Sequence, residues 1–203
     1  MEKHMHNSKE MQRLSRKIDA LDKPERIKAF PPEELLQMLP IKKSDSVLDL
    51  GAGTGYLTIP AARMTDGSVY ALDIDPGMLE VISAKAQSEG ISNIQLLEGS
   101  IDDITLPDAS ADIVLASLVL HEVKPLSGIL QQVRRVLKNG GYFLCFEYEK
   151  TEAYTDGPPM NIRIPSSVME QEMESAGFYL VNKLQFSDNL YVLIVKKDES
   201  RHL

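Results

Sequence analysis

The sequence has few of the residues that several kinds of protein chemistry require. Cys145 is the one cysteine among 203 residues. A single cysteine excludes an intramolecular disulfide framework, a zinc site built from cysteines and any relay between several thiols. The sequence also lacks a run of roughly 18 apolar residues, the length that a membrane span needs. No apolar signal core follows the charged N-terminal residues, so we expect a cytoplasmic protein.

Positive charge is scarce beyond the first 28 residues. These residues hold 8 Lys+Arg and 5 Asp+Glu, whereas the remainder holds 14 Lys+Arg and 25 Asp+Glu. Such an acidic body repels a phosphate backbone, which disfavours nucleic acid as a partner unless the basic head alone recruits it. The composition, 43% hydrophobic and 26% charged, is typical of a globular protein. The length suits a single domain.

The basic head has the spacing of a helix. Its apolar residues at helical intervals are Met11, Leu14, Ile18 and Leu21. They predict an amphipathic helix within residues 8–30 that breaks near Pro24. Residues 1–30 then form either a helical lid or a flexible head, and the sequence leaves both possibilities open. Residues 31–203 form the main domain.

Apolar runs and helical patterns alternate through most of the chain. Strands are predicted at 47–50, 68–73, 93–98, 111–117 and 141–148. Helices are predicted at about 55–65, 76–89 and 125–138. This alternation predicts an α/β fold with a parallel sheet and helical crossovers. Because the apolar runs in strands 111–117 and 141–148 are uninterrupted, we expect both strands at the centre of the sheet.

The C-terminal part has a different pattern. A helix predicted at 166–176 precedes two β-rich runs, 178–186 and 190–196, that flank a short polar turn. These runs predict an antiparallel hairpin, which gives the sheet a mixed edge. Residues 151–165 contain proline and glycine and form a longer connection than most, so we expect a binding loop or lid there.

The stretch VLDLGAGTGYL carries the strongest functional signal. A strand runs into Gly51, Gly53 and Gly55 and then into a helix. Glycine permits positive φ and close backbone approach, so such a turn lets a ligand lie against a helix N-terminus. Tyr56 stands where the dinucleotide fingerprint G-x-G-x-x-G has its third small residue, which disfavours that fingerprint.

Two carboxylates accompany the glycine turn. Asp73 ends the second strand, 22 residues after Gly51, where a carboxylate can accept hydrogen bonds from both hydroxyls of a ribose. Asp49, near the end of the first strand, suits a cationic amino group better than a pyrophosphate. Together they predict a nucleoside ligand that bears an amino acid. Alternatively, Asp49 and Asp73 merely cap the turns that follow them.

Five stretches occur in a characteristic order along the chain: VLDLGAGTGYL, VYALDIDPGML, NIQLLEGSIDDITLPD, ADIVLASLVLHEV and LKNGGYFLCFE. Together they resemble the class I S-adenosylmethionine-dependent methyltransferases over about residues 40–197. The branch they resemble most is the small-molecule branch related to the ubiquinone and menaquinone biosynthesis C-methyltransferases. The resemblance implies a doubly wound, Rossmann-like sheet of seven mostly parallel strands, with an antiparallel strand in the C-terminal hairpin. Residues 31–203 would then be a methyltransferase domain.

The resemblance also implies roles toward S-adenosylmethionine. Asp49 would lie near the methionine amino group, and Asp73 would hold the ribose. The main chain would approach the methionine part and the ribose at Gly51, Ala52, Gly53 and Gly55. The residues that would face the methionine moiety at the end of the fourth strand are Ala116 and Ser117.

The adenine side departs from the family pattern. Ile74 and Met78 would pack on adenine, or else they are ordinary core residues. The family often has an aspartate after the glycine of its third motif to receive the adenine amino group, whereas this chain has Gly99 followed by Ser100. The contact would instead fall to Ser100, to Asp102 or to the backbone of Ile101.

His121 is the candidate for proton transfer. Methyl transfer from a sulfonium mainly requires aligned reactants and exclusion of water. A base is needed where the acceptor is a protonated oxygen or an acidic carbon, and a group that titrates near neutrality suits that task. His121 is the one histidine outside the termini and follows the fourth strand, where ligands of α/β sheets gather. Alternatively it is structural, with Glu122 as its ionic partner.

Arg163 and Tyr148 are the candidates for binding the acceptor. Arg163 is the one Lys or Arg in residues 151–182, and its planar fork suits a carboxylate or phosphate. The alternative is a surface ion pair with a neighbouring acid. Tyr148, Glu147 and Tyr154 flank the end of the fifth strand and are candidates for lining an acceptor pocket.

These observations predict methyl transfer from S-adenosylmethionine to a small-molecule acceptor by direct displacement. Two other classes compete with it: an S-adenosylmethionine-binding protein without catalysis and, less favoured, an NAD-dependent oxidoreductase, which Tyr56 and Asp49 fit badly. His4 and His6 have the spacing of metal ligands, but no third ligand is near them in sequence, so we assign no metal. The sequence specifies neither the acceptor nor the oligomeric state.

Overall fold

A seven-stranded sheet organises the protein. The computed structural model describes residues 2–152 and 157–198. The strands lie in the order β3-β2-β1-β4-β5-β7-β6. Their bounds are β1 Val47–Leu50, β2 Val69–Asp73, β3 Ile94–Glu98, β4 Ala111–Ser117, β5 Leu137–Tyr148, β6 Phe178–Ser187 and β7 Leu190–Lys197. Strands β1 to β5 pair in parallel and β7 pairs antiparallel with both β5 and β6. The predicted doubly wound α/β sheet with a C-terminal antiparallel hairpin is confirmed.

Seven helices surround the sheet within the described ranges. They are α1 Glu2–Leu21, α2 Pro24–Ala29, α3 Pro32–Gln37, α4 Thr58–Met64, α5 Pro76–Glu89, α6 Leu126–Val136 and α7 Ser166–Ser175, with a 3₁₀ turn at Leu120–Glu122. The predicted break in the head near Pro24 falls between α1 and α2. None of the helices in this part of the chain combines the length and the apolar character that a membrane crossing requires.

The start of β5 differs from the prediction. A helix was expected to 138 and a strand from 141, but β5 begins at Leu137, directly after α6. The pairing with β4 passes from Ala111 opposite Leu137 to Ile113 opposite Tyr142. Gly140 lies in this irregular stretch with φ +70°. Its freedom lets the strand continue through the extra residues, a feature that hydrophobic spacing cannot reveal.

The two faces of the sheet carry separate cores because successive strand residues point to opposite sides. On β5, Phe143 belongs to the core that includes Ile129 of α6 and Met169 of α7. The next residue, Leu144, belongs to the core that includes Leu35 of α3 and Ala61 of α4. β4 and β5 both lie inside the sheet and are largely buried, so their predicted central position is confirmed.

The strand order reverses at β1, which lies between β2 and β4. The connections from β1 and β4 therefore leave in opposite directions and open a crevice at the carboxyl ends of these strands. Ligands of doubly wound sheets bind in such a crevice. The glycine turn and Asp73 both follow strands that end there.

Candidate functional site

The glycine turn is held close to the loop after β4. Gly51 has φ +61°, and a Cβ atom there would lie 2.5 Å from Cγ2 of Val119. A larger residue would therefore suffer both backbone strain and a clash. The backbone N–H of Ala52 donates to the carbonyl of Leu72 at 3.0 Å, which ties the turn to β2.

Asp73 links two turns through its carboxylate. One oxygen accepts from the backbone N–H of Gly53 at 2.8 Å, and the other accepts from the backbone N–H of Asp75 at 2.9 Å. Asp73 therefore does cap the turns at Gly53 and Asp75, as the alternative interpretation predicts. It leaves room for a ligand role, because each carboxylate oxygen can accept more than one hydrogen bond. The side chain also lines the cavity at this end of the sheet.

Asp49 is a buried carboxylate with a neutral partner. It is 2% exposed, and the Thr58 hydroxyl donates to its Oδ2 at 2.6 Å. Burial, with a smaller contribution from the charge of Asp73, raises the pKa of Asp49 to about 7, although the Thr58 hydrogen bond opposes this shift. A positive charge placed beside Asp49 would therefore favour the ionised form of its carboxyl group.

The cavity at the crevice has a volume of about 620 Å³, within the range of small-molecule sites. Eleven of the predicted site residues line it. They are Asp49, Gly51, Ala52, Gly53, Asp73, Ile74, Met78, Ser100, Ile101, His121 and Tyr148.

Three predicted site residues do not line the cavity. Gly55 packs toward Ile59, and Ala116 is fully buried in the core. Of the two residues predicted to face the methionine moiety, Ser117 lines the cavity and Ala116 does not, because side chains alternate along β4. The role of Ala116 stays a prediction. Arg163, the third, is buried behind the wall of the cavity.

The Ser117 side chain supplies an unsatisfied polar atom at this wall. Its hydroxyl oxygen is buried and has no hydrogen-bond partner within the part of the chain that the structure describes. Buried polar groups in proteins are almost always hydrogen-bonded, so such an atom beside a cavity suggests a contact with a bound molecule.

Ile74 and Met78 occupy different environments. Ile74 is 73% exposed, so the alternative that it is an ordinary core residue is wrong. Met78 is 2% exposed, lies on α5 and also lines the cavity. Asp102, a candidate for the adenine contact, does not line the cavity, whereas Ser100 and Ile101 do.

His121 is paired with an acid on β5. Its Nδ1 lies 2.9 Å from Oε2 of Glu147, whereas Nε2 is 4.0 Å from Oε1 of Glu122. The expected ionic partner, Glu122, is thus the more distant of the two. Burial alone would lower the pKa of His121. The hydrogen bond and charge of Glu147, aided by Glu122, outweigh burial and raise this pKa above its ordinary value.

Arg163 is buried rather than paired on the surface. It is 3% exposed, so the surface alternative is wrong. Its Nε donates to the carbonyl of Pro158 at 2.8 Å, and its guanidinium carbon lies 5.4 Å from the centre of the Tyr148 ring. Pro158 and Tyr148 both line the cavity, so Arg163 holds the wall behind it. Tyr154 lies outside the described residues.

The basic head covers one side of the cavity. Lys17 donates to Asp75 at 2.8 Å, and Asp22 accepts from the Thr54 hydroxyl at 2.6 Å and from Lys85 at 2.7 Å. The cavity-lining residues of α1 are Lys17, Ala20 and Leu21. The sequence left open whether the head is a lid, and it did not predict these contacts. Asp22 and Lys85 are far apart in sequence, so no local pattern pairs them.

The sequence pattern does not reveal that Glu147 is the partner of His121. A carboxylate that directly follows the apolar run from Phe143 to Phe146 needs a polar partner if the strand is buried. That rule was the available signal for a partner of Glu147. Among the side chains that the structure describes, those of residues 11–25, 27–152 and 157–198, no group of three His, Cys, Asp or Glu could hold a metal ion.

Comparisons with known proteins agree with this geometry. A family model described as "Methyltransferase domain" matches residues 48–145. A demethylmenaquinone methyltransferase of Geobacillus kaustophilus is 31% identical over 153 residues, 70% of this chain and 65% of that protein. A ubiquinone/menaquinone biosynthesis C-methyltransferase of Marinomonas is 32% identical over 56% of this chain and 46% of that protein. The chain thus spans about half to two thirds of these curated relatives.

Solved structures extend the likeness over most of the chain. A SAM-dependent methyltransferase from Aquifex aeolicus superimposes with a TM-score of 0.81 at 26% identity, covering 89% of this chain and 96% of that chain. The [4+2]-cyclase SpnF superimposes with a TM-score of 0.74 at 16% identity, covering 84% of this chain and 80% of that chain. The second likeness concerns the fold alone.

We expect Asp49→Asn to stabilise the ligand-free protein at neutral pH. The amide can still accept from Thr58 but carries no charge to bury. Because the pKa of Asp49 rises from 3.8 to about 7 on folding, the native wild type binds this proton more tightly than the unfolded chain. The wild type therefore loses stability as pH rises from about 4 to about 7, and the variant avoids this loss. Urea unfolding should show the variant gaining roughly 2 to 4 kcal/mol over that range.

The exposed carboxylate of Asp66 provides the control for this experiment. The free energy of unfolding of Asp66→Asn should follow that of the wild type across the same pH range. A difference between Asp49→Asn and the wild type that does not change with pH would contradict the assigned burial effect.

Proposed function

We propose that the chain is a class I S-adenosylmethionine-dependent methyltransferase, similar to the proteins compared above, and that it transfers the cofactor's methyl group to a small-molecule acceptor by direct displacement. The observation that carries this proposal is the pair Asp49 and Asp73 on either side of the glycine turn, at the wall of one cavity. The cavity volume of about 620 Å³ suits a nucleoside cofactor together with a small acceptor.

The residues of the cavity fit the parts of S-adenosylmethionine. We propose that Asp73 receives the ribose hydroxyls and that Asp49 attracts the amino group. The unsatisfied hydroxyl of Ser117 suits the polar end of the methionine part. The exposed Ile74 and the buried Met78 give an apolar bed for adenine, with Ser100 and Ile101 at its edge.

The chain's own contribution to the reaction is alignment, shielding and proton transfer. S-adenosylmethionine, when bound, supplies an electrophilic methyl group on a sulfonium. We propose that His121 accepts a proton from the acceptor and that Tyr148 lines the acceptor side. Arg163 does not line the cavity, and we propose that it acts indirectly. Its contacts hold Pro158 and the Tyr148 ring in place, and these two residues line the cavity. The cytoplasmic location inferred from the sequence remains a prediction.

The fold alone does not establish the reaction, as the shared fold of the [4+2]-cyclase illustrates. The decisive experiment measures S-adenosylhomocysteine released from S-adenosylmethionine over a panel of phenols, amines, thiols and a reduced naphthoquinone. The last acceptor is included because the relatives are named for demethylmenaquinone. Release that depends on one acceptor class supports methyl transfer. Cofactor binding without release over the whole panel would favour the non-catalytic alternative, and titratable binding of NADH would favour the oxidoreductase.

Asp73→Ala should weaken binding of S-adenosylmethionine by about 2 to 3 kcal/mol, the usual contribution of hydrogen bonds to a charged group. Isothermal titration calorimetry measures this loss. Glu98→Gln is the matched control, since Glu98 ends the adjacent strand opposite Asp73 and does not line the cavity. Because Asp73 also holds two backbone N–H groups, Asp73→Asn provides a second variant that keeps an acceptor. Unchanged affinity in a folded Asp73→Ala variant would refute the ribose assignment.

The head should slow release of the cofactor if it acts as a lid. Asp22→Asn removes the charge that accepts from Lys85 and weakens the contact with Thr54. We expect dissociation of S-adenosylhomocysteine to become about fivefold faster, consistent with the modest strength of partly exposed ion pairs. Stopped-flow displacement measures this rate. Asp19→Asn, an exposed position on the same helix, is the control. Equal rates for the two variants would favour a flexible head.

A further inference from the structure

Glu147 is buried at the carboxyl end of β5, where it meets several donors at once. It is 1% exposed. Its Oε1 accepts from the backbone N–H of Leu120 at 2.8 Å, and its Oε2 accepts from the backbone N–H of Tyr148 at 3.1 Å. Nδ1 of His121 lies 2.9 Å from Oε2 and 3.2 Å from Oε1. This carboxylate thus joins the end of β5 to the loop after β4.

The donors around Glu147 determine which nitrogen of His121 carries the proton. Each oxygen of Glu147 already accepts a backbone N–H, which is the role of a carboxylate acceptor. Nδ1 must therefore carry the hydrogen that lies between the two side chains. In the neutral ring the other nitrogen, Nε2, then has a free lone pair. His121 lines the cavity, and Nε2 is on the ring side away from Glu147.

We infer that Glu147 is the positioning residue of a Glu147–His121 pair that takes a proton from the acceptor at Nε2 of His121. The inference rests on the proposed methyl transfer and narrows its substrate class: the attacking atom of the acceptor carries a proton in the resting complex. In the step, the bond from that atom to hydrogen would break and its proton would pass to Nε2 of His121. The freed electron pair would form the bond to the methyl carbon, while the methyl–sulfur bond would break with its electrons going to sulfur, leaving S-adenosylhomocysteine. The positive charge that develops on His121 lies against the Glu147 carboxylate.

The charged groups that face His121 come from three elements. Glu147 lies on β5, Glu122 on the 3₁₀ turn, and Arg163 on the loop before α7. Burial and Arg163 lower the pKa of His121, whereas Glu147 and Glu122 raise it, and the acids prevail. Removal of the charge on Glu147 should therefore lower this pKa, and the base form of His121 would then persist to lower pH but accept protons more weakly.

The first arm of the test observes His121 directly, without any acceptor. Nitrogen-15 spectra of histidine side chains in the full-length protein with S-adenosylhomocysteine distinguish a protonated from a bare ring nitrogen. We expect His121 of the wild type to carry hydrogen on Nδ1 and none on Nε2 above its pKa. In Glu147→Gln we expect the pKa to fall by about one to two pH units. A wild-type ring protonated on Nε2 instead, or an unchanged pKa in this variant, would overturn the inference.

The second arm measures turnover with the acceptor that reacts in the panel described above. Glu147→Gln should lower kcat about 10- to 100-fold and move the acidic limb of the kcat profile to lower pH. The KM for S-adenosylmethionine should stay within about twofold, since Glu147 is not among the residues that line the cavity. A purely structural Glu147 would leave kcat per folded molecule and the pH profile unchanged, and that result would overturn the inference.

Two further variants keep the outcome interpretable. Glu170→Gln makes the same chemical change on α7, in an ion pair with Lys183. Neither residue lines the cavity, so this variant should behave as wild type in both arms. Glu147→Asp keeps the charge, so it should retain more of the raised His121 pKa and more turnover than Glu147→Gln. If Glu147→Gln does not fold, the tautomer of the wild type and this aspartate variant decide the matter. Absence of turnover with every acceptor would count against methyl transfer, while the spectra would still test the pair.

Discussion

The carboxylate of Asp73 is the interaction on which the site depends. It accepts the backbone N–H of Gly53 from the glycine turn and the backbone N–H of Asp75 from the turn before α5. Asp75 in turn accepts from Gly77 at the start of α5 and from Lys17 of the head. Asp73 and Asp75 together therefore align the loop after β1, the first turn of α5 and the helix that covers the cavity. The parallel register of β1 and β2 brings these groups within reach of one another.

The buried carboxylate of Asp49, close to Asp73, has an unfavourable electrostatic energy that a cationic ligand can reduce. Burial raises the pKa of Asp49 to about 7, and the charge of the nearby Asp73 contributes to this shift. Neither carboxylate has a Lys or Arg partner among the contacts found in the described ranges. A cationic amino group would favour the ionised form of Asp49 and recover part of this energy. Functional sites often keep such unfavourable arrangements because binding, rather than folding, relieves them.

The sequence predicts those parts of the molecule that follow from local patterns. Uninterrupted apolar runs indicated the central strands β4 and β5, and the spacing of glycines after β1 indicated the ligand turn. The errors concern contacts between residues far apart in sequence. His121 pairs with Glu147 rather than with its neighbour Glu122, because β5 runs beside β4. Arg163 is buried, although its neighbours in sequence suggested a surface ion pair. Both Ala116 and Ser117 were predicted to face the ligand. Only Ser117 lines the cavity, because the side chains alternate along β4 and a run of apolar residues does not specify which of them point to the cavity.

We propose that the cavity at the carboxyl ends of β1, β2 and β4 binds S-adenosylmethionine between Asp49 and Asp73. A crystal structure of the protein with S-adenosylhomocysteine tests this claim most directly. We expect ribose hydroxyls within hydrogen-bond distance of Asp73, the amino group beside Asp49, a polar contact to Ser117 and adenine against Ile74. A ligand bound elsewhere, or with its ribose away from Asp73, would contradict it.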